Sequence, residues 1–180
     1  MAAIALLGGT FDPVHNAHLA MARAALAALP VSRVVFLPTG PTKYRQPAVA
    51  SADDRLAMLR LALDKEPRFA IDERELQAGA SGYTVDTLRN FEHPYFLMGA
   101  DQLAKLASWH QPDEVRKLAK LAVFARPGYE AKDPDVAVVP MPPMKVSGSE
   151  IRARLARGES VEGLVPPAVA NYIEQRKLYR

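Results

Sequence analysis

The chain has 180 residues, 49% of them hydrophobic and 24% charged, with a formal net charge of +3. That length suits one domain able to bury roughly 70% of its unfolded surface, and the composition excludes wholesale disorder. With no cysteine present, disulfides, thiolate metal sites and a cysteine nucleophile are excluded as well.

Apolar runs alternate with helical patterns along the whole chain. The runs Ile4–Leu7, Val34–Leu37, Phe69–Ile71, Tyr95–Met98 and Leu121–Ala125 read as short buried strands, and Val136–Val139 is a weaker sixth. Helices are predicted between and after them, over Leu19–Leu29, Asp53–Leu63, Val85–Asn90, Ala100–Leu106, Asp113–Leu118, Ile151–Arg157 and Pro167–Arg176. Ser51 can cap the second of these, Gly158 closes the sixth, and proline opens the seventh. Strands alternating with helices predict an α/β fold, a doubly wound parallel sheet covered on both faces. The expected organisation is a single domain, 1–180, with 149–180 as a small helical C-terminal subdomain. Residues Met1–Leu7 carry no basic region and run at once into Gly8-Gly9, too soon for a signal peptide or membrane span. The cytoplasm is therefore the expected compartment, with no membrane partner. Basic residues form no dense run interleaved with aromatics, so no nucleic-acid partner is expected, while small anions remain open.

Ligands of such sheets bind at the carboxyl ends of the strands, so the loops there carry the functional argument. The first strand runs into Gly8-Gly9-Thr10-Phe11-Asp12-Pro13-Val14-His15-Asn16-Ala17-His18. Paired glycines let a backbone approach a ligand closely. His15 and His18, three apart where loop becomes helix, would share a face beside free N–H groups and the positive dipole end. Three readings are open. The pair can be polar caps without a ligand. It can belong to a zinc site, with His93, His110 or a distant carboxylate as third ligand, although HExxH is missing. Contact with phosphate oxygens fits best, because two donors, glycines and a helix start converge.

Further along, Ser147-Gly148-Ser149 before Ile151-Arg152 reads as a capped helix start with a forked cation, a second place for an anion. Gly99-Ala100-Asp101 follows an apolar strand. Asp101 there is either a helix cap or an acceptor for ribose hydroxyls. Trp109, the single tryptophan, is either core or a stacking surface for a flat ring. Tyr83 and Thr84 sit in a polar stretch that can read a carboxylate, with Thr84 also able to cap the next helix. Arg126 ends the fifth strand as a surface charge or a phosphate contact. His93 and His110 read as structural or solvated, and Arg176–Arg180 as a solvated helix end.

The loop Gly8–His18 resembles the signature of the nucleotidylyltransferase superfamily, which ends in a His-x-Gly-His element. Here Ala17 stands in place of its glycine. Other elements resemble the bacterial nicotinate-nucleotide adenylyltransferases in order along nearly the whole chain. They are Leu37–Lys43, Ser51–Arg60, Tyr83–Leu88, Phe96–Asp101 with Trp109, Ala125–Tyr129 and Val146–Arg152, the last with Gly148 and Ser149 where the family has serine and threonine. The family's Pro-Pro-His-Lys stretch is altered here to Pro41-Thr42-Lys43-Tyr44-Arg45.

This resemblance implies transfer of AMP from ATP to nicotinate mononucleotide in NAD synthesis. It implies catalytic roles for His15, His18, Lys43 and Arg152. It places ATP against Gly8, Gly9, Thr10, Phe11, His15, His18, Gly99, Asp101, Ser147, Ser149, Ile151 and Arg152. It places the acceptor against Gly9, Tyr83, Thr84, Trp109 and Arg126. Mg²⁺ would be held mainly by ATP phosphates, with no dedicated protein ligand. The histidines, Lys43, Arg152, helix starts and Mg²⁺ would together supply compensating charge. Two other readings stay open at this point. One is another superfamily enzyme, such as pantetheine-phosphate adenylyltransferase; the other is a non-catalytic nucleotide sensor. Oligomeric state is not legible in the sequence.

Overall fold

The computed structural model describes residues 2–42, 46–125, 128 and 130–180. Six parallel strands form one sheet in the order β3-β2-β1-β4-β5-β6. They are β1 (Ala3–Gly9), β2 (Val31–Pro38), β3 (Phe69–Ile71), β4 (Tyr95–Gly99), β5 (Lys120–Ala125) and β6 (Ala137–Pro140). The helices are α1 (Asn16–Ala28), α2 (Ala52–Leu63), α3 (Thr84–Leu88), α4 (Ala100–Ala104), α5 (Pro112–Leu118), α6 (Gly148–Ala156) and α7 (Pro167–Arg176). The doubly wound α/β expectation therefore holds, and the strand order reverses between β1 and β4, the crevice where such sheets take ligands.

Strand side chains alternate between the two faces, and the core divides accordingly. Ala5, Leu7, Val34 and Phe36 pack with α1, α2 and the C-terminal residues Ile151, Val169 and Ile173. Leu6, Val35 and Leu37 face the other way, onto Val85 and Leu88 of α3, Val115 of α5, Phe96 and Met98. So α6 and α7 return to the face that α1 and α2 already cover.

Register brings the functional loops level. Gly8 and Gly9 pair with Leu37 and Pro38, and Leu7 pairs with Leu97, which puts Gly99 level with Gly9. The Thr39 amide donates to the Gly9 carbonyl at 2.9 Å. Arg55, on α2 and only 3% exposed, spans the same edge. Its Nη1 donates to the Thr10 carbonyl at 2.7 Å and to the Thr39 carbonyl at 2.9 Å. One buried guanidinium thus fixes the loops after β1 and β2 together.

Several boundaries differ from the sequence expectations. α1 begins at Asn16 rather than near Leu19, with His15 as its N-cap. The polar loop residues continue the helix because its first turn is tied to the connection between α6 and α7: Asn16 N–H and Nδ2 donate to the carbonyls of Leu164 and Gly163, each at 2.9 Å. Ser51 caps α2 as expected, accepting from the Asp54 amide at 3.0 Å. Tyr83, not Thr84, is the N-cap of α3, and Ser81 Oγ, accepting from the Tyr83 amide at 3.1 Å, fixes the approach. A 3₁₀ turn over Arg74–Leu76 had no signal in periodicity, being too short to show one.

Candidate active site

His15 and His18 stand at the start of α1 with their rings stacked, centroids 3.7 Å apart and planes 18° apart. His15 is 6% exposed, and burial lowers its pKa to about 4. Burial, and then the neighbouring His15, also hold His18 well below the ordinary histidine value. Both imidazoles are therefore neutral at pH 7, since two stacked rings cannot both carry a proton cheaply in such a place. The expectation that the histidines supply positive charge is corrected accordingly: in the free protein they are N–H donors. His18 Nδ1 accepts the His15 backbone N–H at 3.1 Å. Its ring proton is thereby assigned to Nε2, facing away from its own backbone. His15 Nδ1 is buried with no hydrogen-bond partner among the described residues.

The glycines beside them differ in kind. A Cβ on Gly9 would meet the Phe11 ring at 3.1 Å, so packing requires that glycine. A Cβ on Gly8 or on Gly99 would meet nothing within 4 Å. Open space beside both glycines, on neighbouring strands at the switch point, leaves room for a ligand to lie on bare backbone. Phe11 is placed otherwise than expected. Its side chain is 1% exposed, packed edge-on to His18 at 4.8 Å and against Phe36 at 5.5 Å. It holds the His18 ring from behind rather than facing a ligand. Thr10 contributes its carbonyl to Arg55.

The start of α6 is brought onto the same loop. Ser147 caps it, accepting from the Glu150 amide at 3.2 Å. Arg152 Nη1 donates to the Asp12 carbonyl at 2.8 Å, and Arg152 Nη2 to Ser149 Oγ at 3.4 Å. The two predicted anion-binding helix starts therefore converge at Asp12, although 140 residues separate Asp12 from Arg152. Ser147 and Ser149 are exposed. Ile151 is fully buried in the core and its amide donates to the Ser147 carbonyl, so it supports the helix and offers no side chain to a ligand. Asp101 is exposed in the first turn of α4 and is not its cap, that place being taken by Gly99. Lys43 and Arg126 lie outside the described residues.

A cleft of about 780 Å³ opens beyond the ends of β2 and β4, lined by Thr42, Tyr83, Thr84, Lys105, Trp109 and His110 among others. Trp109 is half-buried, edge-on to Phe96 with centroids 6.2 Å apart. It is thus neither free nor sealed in the core. Tyr83 stacks on His110 at 4.1 Å with planes 24° apart. His110, read from sequence as structural or solvated, therefore lines the cleft, and Lys105 adds a cation that sequence reasoning missed. Neither belongs to a motif; only the turn after β4 brings them there. Among the described residues no group of three or more His, Asp or Glu side chains could hold a metal ion, and His93 lies apart, in a shallow surface hollow with Arg89 and Leu118. Among the described residues no third ligand stands beside the histidine pair.

The sequence matches the cytidylyltransferase-like family over residues 6–154. A Bordetella petrii protein named "Probable nicotinate-nucleotide adenylyltransferase" is 44% identical over 195 residues, covering 100% of both chains. The chain belongs to the nicotinate-nucleotide adenylyltransferase family. A Laribacter hongkongensis protein of the same name is 42% identical, with 99% of this chain and 94% of that one covered. The fold is also that of the Plasmodium falciparum nicotinic acid mononucleotide adenylyltransferase complexed with NaAD, with a TM-score of 0.80 at 18% identity over 99% of this chain and 98% of that one.

Two of the departures from the family pattern, Ala17 and Gly148, have local explanations. Ala17 is 7% exposed, so its methyl is largely covered by protein. At Gly148 a Cβ would lie 3.1 Å from Arg152 Nη1 and 3.3 Å from the Asp12 carbonyl oxygen. The missing side chain is the space through which Arg152 reaches Asp12.

Proposed function

We propose that the protein transfers AMP from ATP to nicotinate mononucleotide, releasing pyrophosphate and forming nicotinate adenine dinucleotide. The observation that carries this reading is the convergence of the α1 and α6 starts at Asp12, beside glycines with open space and next to an aromatic, cationic cleft. The full-length relatives named as nicotinate-nucleotide adenylyltransferases support the choice of substrates.

In this reading a phosphate oxygen of the acceptor attacks the α-phosphorus of ATP. One P–O bond forms, the bond to the β-phosphate oxygen breaks, and pyrophosphate leaves with the electron pair. The nucleophile is already anionic at neutral pH, so no general base is required. The work is alignment of two polyanions and stabilisation of charge moving onto the leaving group. His18 donates its Nε2–H to a phosphate oxygen beside His15. Arg152 keeps further guanidinium N–H groups for the same phosphates after serving Asp12 and Ser149. Ser147, Ser149 and the free amides at the α6 start complete that side, and Lys43 adds a cation. Gly8, Gly9 and Gly99 give backbone surface for the nucleotide, with Asp101 toward the ribose.

The acceptor's pyridine ring stacks on Trp109, with Tyr83 and Thr84 beside its carboxylate and Arg126 toward its phosphate. Mg²⁺ carried on the ATP phosphates would supply shielding of their charge. The residues at hand fit this rather than a protein cage, because Asp12, the buried carboxylate of the loop, is already fully engaged by protein donors.

The test is product formation from ATP with nicotinate mononucleotide, nicotinamide mononucleotide or phosphopantetheine as acceptor. Turnover with nicotinate mononucleotide and none with phosphopantetheine is expected. Turnover with phosphopantetheine alone would assign the chain to another branch, and ATP binding without turnover on any acceptor would make it a sensor.

A further inference from the structure

Beyond the end of α7 the chain turns back, and the ring of Tyr179 joins the core below α1 and α2. After α7, Lys177 and Tyr179 both adopt left-handed backbone angles, φ 54° and 63°. Lys177 closes the helix, its amide donating to the Glu174 carbonyl. Tyr179 lies beyond that cap, in a conformation uncommon for a bulky side chain. Its outcome is a specific contact. The Tyr179 hydroxyl donates to Asp12 Oδ1 at 2.6 Å, and the residue is 9% exposed. Asp12, itself 6% exposed, also accepts the Ala50 amide on Oδ1 at 3.1 Å and the Val49 amide on Oδ2 at 2.7 Å. Its backbone carbonyl receives Arg152. Burial, together with the Asp12 carboxylate, pushes the Tyr179 phenol far above its ordinary value, so it remains a donor.

We propose that Tyr179 is a positioning residue for the phosphate site. Through its hydroxyl it fixes the Asp12 carboxylate, and Asp12 in turn fixes both the His15–His18 turn that follows it and the Arg152 guanidinium docked on its carbonyl. The end of the chain thus sets the separation of the two helix starts. This rests on the assignment of those starts to ATP. α7 carries a second, independent attachment, with Tyr172 hydroxyl and Arg176 Nε donating to Asp54 Oδ1 at 2.8 and 3.1 Å. Loss of the Tyr179 hydroxyl therefore leaves the helix in place and loosens the loop.

The decisive variant is Tyr179→Phe, which keeps the ring and its packing. Ile173→Val, in the buried face of α7 itself, controls for general loss of stability. Two readouts are needed, ATP affinity by calorimetry and the titration of the four histidines by proton NMR. Tyr179→Phe is expected to weaken ATP binding about tenfold while the KM for nicotinate mononucleotide changes less than twofold. The His15 and His18 midpoints should rise toward the ordinary value as water reaches the loosened turn, and Ile173→Val should move neither. Unchanged histidine titration and ATP affinity, with only a lower melting temperature, would reduce Tyr179 to a core contact. If the unaltered protein bound no ATP, the proposed function would fall, and the histidine midpoints would still decide whether Tyr179 sets the loop.

Discussion

The role proposed for His18 rests on three contacts from two neighbours. The Phe11 ring backs it, the His15 ring stacks on it, and the His15 amide fixes its proton on Nε2. A preorganised neutral donor aimed at developing charge typically contributes a factor of about 10²–10³ in turnover. His18→Ala is accordingly expected to lower turnover by that factor while the protein stays folded, and steady-state kinetics beside circular dichroism measure both. Gly8 presents the converse case. Among the described residues no atom lies within 4 Å of an added Cβ, and its φ is not positive, so Gly8→Ala removes backbone freedom from the unfolded chain alone. The folded protein should gain about 0.4–1 kcal/mol in urea unfolding and bind ATP more weakly by calorimetry. Stronger ATP binding would mean the open space serves no nucleotide. The histidines and glycines were legible because they sit in one contiguous stretch. His110, Lys105, Arg55 and Tyr179 were not, because each acts through a contact across the fold that no spacing announces. Phe11 and Ile151 were legible as motif positions but not as buried supports, since a motif does not say which way a side chain points.

At the level of elements, the loops after β1 and β2 hold their shape through backbone approach as much as through side chains. Gly40 is the sharpest instance. A Cβ there would lie 2.2 Å from the Glu75 carbonyl oxygen in the 3₁₀ turn over Arg74–Leu76. Both partners are backbone, so neither can rotate away. Gly40→Ala is expected to destabilise by about 1–3 kcal/mol, as overpacking does, and to weaken acceptor binding, because the same loop carries Thr42 into the cleft. Chemical denaturation and an acceptor titration check the two parts. Strand positions were legible from short apolar runs, and all six strands lie where those runs predicted. Helix starts were less so. α1 begins earlier than its apolar pattern because Asn16 is tied to Gly163 and Leu164, and α6 begins at Gly148 because Ser147 caps it.

For the whole molecule, acid sensitivity follows from the histidine pair. The folded protein holds His15 at a pKa of about 4 against 6.5 in the unfolded chain. Between those values the unfolded chain binds more protons, so stability is full above pH 6.5 and falls as pH drops toward 4. The loss from His15 is on the order of 3 kcal/mol across that window, with His18 adding in the same direction. Burial pushes the Asp54 carboxyl up, but hydrogen bonds from Tyr172, Ser51 and Arg176 outweigh it and hold it below its ordinary value. Its contribution is therefore lost only at still lower pH. Urea midpoints at pH 7.5, 6 and 5 should fall steadily, and a flat series would show that the histidines are not buried neutral.

The proposed function divides one sheet edge in two, with phosphates at the α1 and α6 starts and the acceptor in the cleft beside Trp109. The chain contains one tryptophan, so tryptophan emission, excited where tyrosine does not absorb, reports on the cleft. Titration with nicotinate mononucleotide should change that fluorescence saturably, and titration with ATP alone should change it little. Fluorescence that follows ATP and ignores nicotinate mononucleotide would contradict the assignment of the two substrates.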